Sequence, residues 1–340
     1  MPPSSYFGQA HPKAADTAEF NAINGSDAEV YAAAHLNIAC GGEISWGSRE
    51  EDGQKIDLLL SIRQPWEPSG RLIVLAQVKS GPTYGTEYQN EKGELCVSLT
   101  KTVLEKSFTP THDLLLIWVN RATGNCFWVY VKAGQKPYKR ELGRRSLISP
   151  ALKFDLCRII YSRKPDGGKG LVFKTKDAVP QLVRKESYKL YKKYALSRLQ
   201  SPLFGEVKFT KMGWRHLTSI SRLNLFRKES QQIIPIVDKL IVRSPSYHIV
   251  ETCDFSERKE WSYRDTVYLL VYENVRCVPF DSNRGEIVIV YLKIHESIIY
   301  PKNWKTTVQR GQLVQRECKF LSVYYKRKNK NKEENSEGTV

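Results

Sequence analysis

Three polar residues stand at the ends of two neighbouring apolar segments early in the sequence. Asp57 lies near the start of KIDLLLSI (55–62), and Gln77 and Lys79 lie near the end of RLIVLAQVKS (71–80). Because side chains two positions apart on a strand point to the same face, Gln77 and Lys79 share a face. Pairing of the two segments as neighbouring strands would bring Asp57 alongside them. The spacing thus predicts a carboxylate, an amide and an ammonium group at one place.

Such a set of groups suits the hydrolysis of a phosphodiester. A hard divalent cation, Mg²⁺ or Mn²⁺, prefers oxygen ligands, which Asp57 and Gln77 can supply. The cation can neutralise charge at the phosphorus, and the ammonium of Lys79 can position or activate the attacking water. Glu29, in a helix predicted upstream, could complete the metal shell. The sequence therefore predicts a catalytic site of Glu29, Asp57, Gln77 and Lys79, in which the two carboxylates and the amide are the metal ligands.

The elements around these residues are predicted from the apolar runs and from the Gly, Pro and Ser residues between them. A helix over about 26–36 is followed by three strands, a short helix and two more strands. The strands are predicted at 55–62, 71–80, 95–99, 112–120 and 126–131, the short helix at 100–108, and one further strand at 152–161. Long apolar runs such as DLLLIWV favour strands that are buried on both faces.

The order Glu29, Asp57, Gln77 and Lys79 resembles the PD-(D/E)XK, or restriction-endonuclease-like, superfamily, in particular the Mrr-type domains that have Gln where others have Glu. The likeness covers about residues 20–135 and is carried by NGSDAEVYAAAHL, EEDGQKIDLLL, VLAQVKSG and HDLLLIWVNRATGNCFWVYV. The resemblance implies an α/β domain with an αβββαβ core, in which helices flank a mixed sheet. It also implies an endonuclease that uses Mg²⁺ or Mn²⁺ to hydrolyse DNA, with a role in bacterial defence against phage.

Charge is distributed unevenly along the chain. The formal net charge is +17, with 53 Lys and Arg residues against 36 Asp and Glu residues. Residues 1–165 hold 20 basic and 17 acidic residues, whereas the remainder holds 33 and 19. Basic surfaces raise the local concentration of polyanions. The second half is therefore predicted to bind nucleic acid, with DNA as the first expectation and RNA as the alternative.

The second half is predicted to be an α+β domain with an antiparallel sheet. Its helices are predicted at 178–199 and 213–241, with an interruption near Pro235, and its strands at 206–210, 247–253, 266–275, 286–294 and 319–326. The resulting division is a flexible arm (1–20), a nuclease domain (21–165), a basic α+β domain (166–326) and a disordered tail (327–340).

A second set of candidate residues lies in the basic half. They are a general acid or base, arginines that could hold the scissile phosphate, and two hydroxyl groups: His216, Arg215, Arg222, Arg227, Ser322 and Tyr324. The region 205–326 resembles the toxin ribonucleases of the barnase, EndoU, colicin and RelE group, which implies cleavage of RNA without a metal. The alternative is that His216 only caps or packs within a helix, while the aromatic residues form core or stack on unpaired bases.

Targeting signals are not evident in the sequence. It has no run of about 20 apolar residues, its N-terminus lacks the pattern of a signal peptide, and its seven cysteines are scattered without a CxxC pair. These features predict a cytoplasmic protein with buried free thiols.

Three functions are then open. The leading one is a metal-dependent endonuclease. The second is a silent nuclease fold that senses or binds nucleic acid, fused to a metal-independent ribonuclease toxin. The third is a non-catalytic nucleic-acid-binding protein. EDTA distinguishes the first from the second, because only the first needs a divalent metal. A homo-oligomer or a companion defence protein is an expected partner besides nucleic acid.

Overall fold

The computed structural model of the 340-residue chain describes residues 17–47, 56–67, 69–109, 111–135, 140–162, 165–176, 180–219, 224–281, 284–306 and 313–327, without the side chains of 17–24 and 224–227. The predicted arm up to residue 16 and the predicted tail from residue 328 lie outside these ranges. The chain forms two compact units, Met1–Phe154 with Asn303–Leu313 and Asp155–Lys302 with Val314–Val340. Among the described residues, no helix is long and apolar enough to cross a membrane.

In its described residues, the first unit contains a five-stranded mixed sheet, a smaller sheet and two helices. These elements are α1 (Thr17–Cys40), β1 (Glu43–Trp46), β2 (Leu58–Arg63), β3 (Arg71–Ser80), β4 (Gly85–Gln89), β5 (Leu95–Leu99), α2 (Lys101–Lys106), β6 (Leu114–Asn120), β7 (Asn125–Val131) and β8 (Glu141–Leu142). The larger sheet has the order β1-β2-β3-β6-β7. Strands β1, β2 and β3 form an antiparallel meander, β6 runs parallel to β3, and β7 runs antiparallel to β6.

The register of β2 and β3 decides which side chains share a face. Leu58 of β2 is buried and pairs with the buried Ala76 of β3. Gln77 and the other odd-numbered side chains of β3 therefore point to the opposite face. On that face Leu116 of β6 lies beside Gln77 and packs with Leu104 of α2 in one apolar cluster. All residues of β6 from 114 to 119 are buried, as expected of a strand covered on both faces.

Several predicted elements of the first unit need correction. The predicted third strand at 95–99 exists, but it belongs to a separate sheet with the order β4-β5-β8. The first strand of the meander is instead β1, whose four residues, EISW, are mostly exposed and too few for their alternation to mark a strand. The predicted helix at 26–36 is longer and begins at Thr17, inside the predicted arm.

The predicted strand at 152–161 is wrong, because Leu152–Tyr161 forms an α-helix, α3. The sequence LKFDLCRIIY contains Asp155 and Arg158, which an alternating strand would place in solvent on opposite faces. In the structure both side chains are buried and form an ion pair at 3.1 Å, with the i, i+3 spacing of one helix face. Tertiary partners of these charges, and not local apolarity, therefore determine the conformation.

The second unit is built on a sheet dominated by four long antiparallel strands. Its elements after α3 are β9 (Val172–Lys174), α4 (Pro180–Leu196), β10 (Leu199–Ser201), β11 (Gly205–Phe209), α5 (Lys211–Thr218), α6 (Asn224–Ile233), α7 (Val237–Ile241), β12 (Tyr247–Arg258), β13 (Trp261–Val278), β14 (Glu286–Pro301) and β15 (Gln315–Arg327). The order is β10-β11-β15-β14-β13-β12, and β9 pairs with β13. Strands β12 to β15 are antiparallel, whereas β11 and β9 add in parallel orientation.

Helices cover one face of this sheet. Leu292 and Phe320 on the strands pack with Tyr191 of α4, Leu217 of α5 and Leu240 of α7 in one core. The helix predicted over 213–241 is divided into α5, α6 and α7, and a 3-10 turn with a proline separates the last two. The chain is thus a mixed α/β protein with several sheets.

Candidate active site

Asp57, Gln77 and Lys79 meet at one end of the five-stranded sheet, and we call them the Asp57 cluster. Because Leu58 pairs with Ala76, Asp57 is next to Gln77 across the strand pair. The backbone N–H of Val78 donates a hydrogen bond of 2.6 Å to Oδ2 of Asp57. The Lys79 ammonium lies 3.5 Å from the same oxygen and donates to the Val78 carbonyl at 2.9 Å. The three side chains that the sequence predicted to converge therefore do so.

Burial makes these groups electrostatically effective. The side chain of Asp57 is 7% exposed, and that of Lys79 is 22% exposed. Gln77 is 3% exposed, and its Oε1 atom has no hydrogen-bond partner among the described residues. A buried acceptor without a donor costs about 1–3 kcal/mol. A cation beside the Asp57 carboxylate would offset this cost, so the residues fit a hard metal ion with oxygen ligands.

The fourth predicted residue, Glu29, lies on α1 and is partly exposed. The hydrogen bonds given above join only the other three residues, so its place in the metal shell stays a prediction. Among the described residues, no group of three or more His, Cys, Asp or Glu side chains could hold a metal ion. The acidic residues Glu50, Glu51 and Asp52, just before β2, lie outside the described ranges. The metal would therefore depend on Asp57, on the Gln77 amide and on water.

A cavity of about 480 Å³ opens at the same end of the sheet. Its wall includes Gly81 and Pro82, which directly follow β3, together with Trp118, Asn120 and Arg121 at the end of β6. Trp118 lies beside Lys79 in the parallel pairing of the two strands, and its Nε1–H donates to the Gly81 carbonyl at 3.1 Å. The lining of this space begins at Gly81, two residues beyond Lys79, and the space has room for part of a substrate.

A buried His–Cys pair in the same unit is not a second catalytic site. Nδ1 of His35 lies 3.0 Å from Sγ of Cys126. Burial, with a smaller effect of the Lys305 charge, lowers the pKa of His35 to about 3. Burial also raises the pKa of the Cys126 thiol to about 12. His35 is 6% and Cys126 1% exposed, so the pair is closed off from a substrate, and its contact serves packing.

The candidates of the basic half do not form one site. His216 and Arg215 are exposed in the last turn of α5, whose Leu217 packs on the helix-covered face of the sheet. Ser322 and Tyr324 on β15 pair with Lys293 and Tyr291 of β14, on the other face. The sheet therefore separates the histidine from the two hydroxyl groups. Arg222 and the side chain of Arg227 lie outside the described residues.

Sequence reasoning missed a buried ionic cluster in the second unit. It consists of three arginines and two acids: Asp155, Arg158, Arg264, Glu296 and Arg316. Glu296 is fully buried and accepts hydrogen bonds from Arg158 at 2.8 Å and from Arg316 at 2.7 Å. Burial raises the pKa of Glu296, but Arg158, Arg316 and Arg264 together outweigh this effect and hold it at about 2. The signal available in the sequence was only the presence of isolated charges within apolar strands.

Comparisons with family models, with curated proteins and with solved structures found no match for the chain.

Proposed function

We propose that the first unit is a metal-dependent nuclease whose catalytic centre is the Asp57 cluster. The observation that carries this proposal is the convergence of a buried carboxylate, a buried amide oxygen without a donor and an ammonium group at one sheet end. The αβββαβ order of the restriction-endonuclease-like fold supports it. Helix α1, the meander β1-β2-β3, helix α2 and the parallel strand β6 follow that order, with the β4–β5 hairpin inserted before α2.

The roles of the side chains follow from their positions. Asp57 and Gln77 would hold the divalent ion through oxygen atoms. When bound, Mg²⁺ would supply positive charge at the phosphate and lower the pKa of a coordinated water. Lys79, oriented by Asp57 and by the Val78 carbonyl, can donate a hydrogen bond to the attacking water or to a phosphate oxygen. Arg121 in the adjoining cavity is placed to receive a neighbouring phosphate.

DNA is the substrate that we propose, with Mg²⁺ or Mn²⁺ as the cofactor. The likeness of the Glu29, Asp57, Gln77 and Lys79 pattern to Mrr-type domains supports this choice, and so does the basic charge of the chain. A cytoplasmic role in bacterial defence against phage follows from the same likeness. The ribonuclease alternative has less support, because its candidate residues lie on opposite faces of the sheet of the second unit.

Replacing Gln77 by Glu tests whether its side chain is a metal ligand. A carboxylate at this position adds a negative charge to the metal shell, so Gln77→Glu should bind Mn²⁺ about tenfold more tightly, a gain of roughly 1.4 kcal/mol. Isothermal titration calorimetry with Mn²⁺ measures this affinity.

The matched control is Gln89→Glu, which adds the same charge at an exposed position of β4. It should bind Mn²⁺ as the wild type does. Equal affinities of the two variants, or no detectable Mn²⁺ binding by any of the three proteins, would count against a metal site at Gln77.

A further inference from the structure

Two neighbouring helices of the second unit carry exposed cations without acidic partners. Between residues 180 and 219 the sequence has nine Lys and Arg residues but only two Glu residues. Lys208 pairs with Glu317, and Glu186 pairs with Lys176. The other eight cations are exposed and form no ion pair within the described part of the chain: Arg184, Lys185, Lys189, Lys192, Lys193, Arg198, Lys211 and Arg215.

Aromatic contacts join the two helices into one surface. The Tyr191 hydroxyl of α4 donates to the carbonyl of Thr210, directly before α5, at 2.8 Å. The Trp214 ring of α5 lies 4.9 Å from the ring of Tyr188 and 5.3 Å from that of Tyr191. The ammonium of Lys192 lies 4.8 Å from the centre of the Tyr188 ring. We define the basic helical surface as the exposed side chains of Lys185, Lys189, Lys192, Lys193, Lys211 and Arg215.

The spacing of these charges costs helix stability. Lys185, Lys189 and Lys193 follow one another at intervals of four residues on α4. Like charges at this spacing destabilise a helix by about 0.2–0.5 kcal/mol per pair. The one carboxylate on the described parts of these two helices is Glu186, which pairs with Lys176 and also attracts Lys189, so it offsets only part of the repulsion. The negative charges of a bound polyanion would attract these lysines and offset the repulsion between them.

We infer that the basic helical surface binds the phosphate backbone of duplex DNA. This inference shares with the proposed function the premise that the chain acts on nucleic acid. Lys185 and Lys193 are about 12 Å apart along the helix axis, which matches three to four successive phosphates of one strand. The Trp214 ring packs against Tyr188 and Tyr191, and Lys192 lies over the Tyr188 ring, so both rings already have partners that an unpaired base would have to displace. Contacts to the backbone are therefore favoured over base stacking.

An anionic lipid surface fits these helices less well. Leu182 and Leu196 of α4 are exposed by 52% and 89%, and Met212 of α5 by 53%. The two leucines are 14 residues apart, which separates them by about 21 Å along the helix, with the lysines between them. A helix that lies in a membrane interface needs a continuous apolar face. These side chains do not provide one.

Fluorescence anisotropy with a labelled DNA duplex, in EDTA, tests the inference. We expect the triple variant Lys185→Ala, Lys189→Ala and Lys193→Ala to bind at least tenfold more weakly at 0.1 M salt. The slope of log affinity against log salt concentration should be smaller in magnitude by about 3, because each lost phosphate contact lowers that magnitude by about 1. The matched control removes three exposed lysines of the same unit, Lys169, Lys174 and Lys239, and should bind like the wild type.

Other results would overturn the inference. If both triple variants bound the DNA duplex more weakly to the same extent, the net charge of the chain alone would explain binding. Stronger binding to a single strand of the same length would contradict backbone recognition of a duplex. Binding to vesicles that contain phosphatidylserine, lost in the first triple variant and without any binding of DNA, would assign the surface to lipid. The binding assay contains no divalent metal and therefore measures binding alone. A chain that binds DNA in this assay but does not cut it after Mg²⁺ is added would sink only the proposed nuclease function.

Discussion

Replacing Lys79 by alanine should lower the rate of metal-dependent DNA cleavage by about 10²–10⁴-fold, the effect of removing a positioned group that aids proton transfer or charge stabilisation. The ammonium lies 3.5 Å from the Asp57 carboxylate and is only partly exposed. Its loss should therefore slow the chemical step while the fold persists, because Val78 still donates its backbone hydrogen bond to Asp57.

Initial rates on a supercoiled plasmid in Mg²⁺ measure this effect. Lys106→Ala is the matched control, since Lys106 is an exposed lysine at the end of α2 in the same unit. It should cut at the wild-type rate. The role assigned to Lys79 is wrong if Lys79→Ala, with an unchanged circular dichroism spectrum, cuts as fast as the control.

Replacing Glu296 by glutamine should destabilise the second unit by about 3–5 kcal/mol, the usual cost of breaking a buried ion pair. The substitution keeps the shape of the side chain but leaves Arg158, Arg264 and Arg316 with one carboxylate instead of two. Arg158 and Arg264 are at most 2% exposed, so water cannot replace the lost partner. The excess buried charge must then be relieved by unfolding or by rearrangement.

Urea unfolding followed by tryptophan fluorescence gives the change in free energy of unfolding. Glu206→Gln on β11 serves as the control, because this glutamate is exposed and the change in charge is the same. It should change the free energy by less than about 0.5 kcal/mol, as surface substitutions usually do. A Glu296→Gln protein as stable as the control would show that the cluster does not hold the unit together.

The Asp57 cluster could be predicted because its geometry is local. The alternation of β3 fixes the face of Gln77 and Lys79, and the short connection between β2 and β3 makes antiparallel pairing the simplest arrangement. By contrast, β1 has four mostly exposed residues and follows a helix directly. Its place at the edge of the sheet depends on partners that no local pattern reveals.

Contacts between residues far apart in the sequence explain the other differences between the predicted and the observed elements. Helix α3 places Asp155 and Arg158 in the core, where Arg264 and Glu296, more than 100 residues later in the chain, pair with them. The segment that contains the candidate residues Arg215 and His216 has a packing explanation. A Cβ atom on Gly213 would lie 2.4 Å from the Phe320 carbonyl oxygen, so glycine permits the close approach of α5 to β15. His216 then follows on the exposed side of the helix.

Cleavage of DNA by the purified full chain, with and without Mg²⁺, tests the central claim most directly when the wild type is compared with Asp57→Asn. The predicted result is cutting by the wild type in Mg²⁺, none in EDTA, and a large loss of activity in the variant. Cutting that persists in EDTA, or that proceeds equally fast without the Asp57 carboxylate, would contradict a metal centre at this end of the sheet.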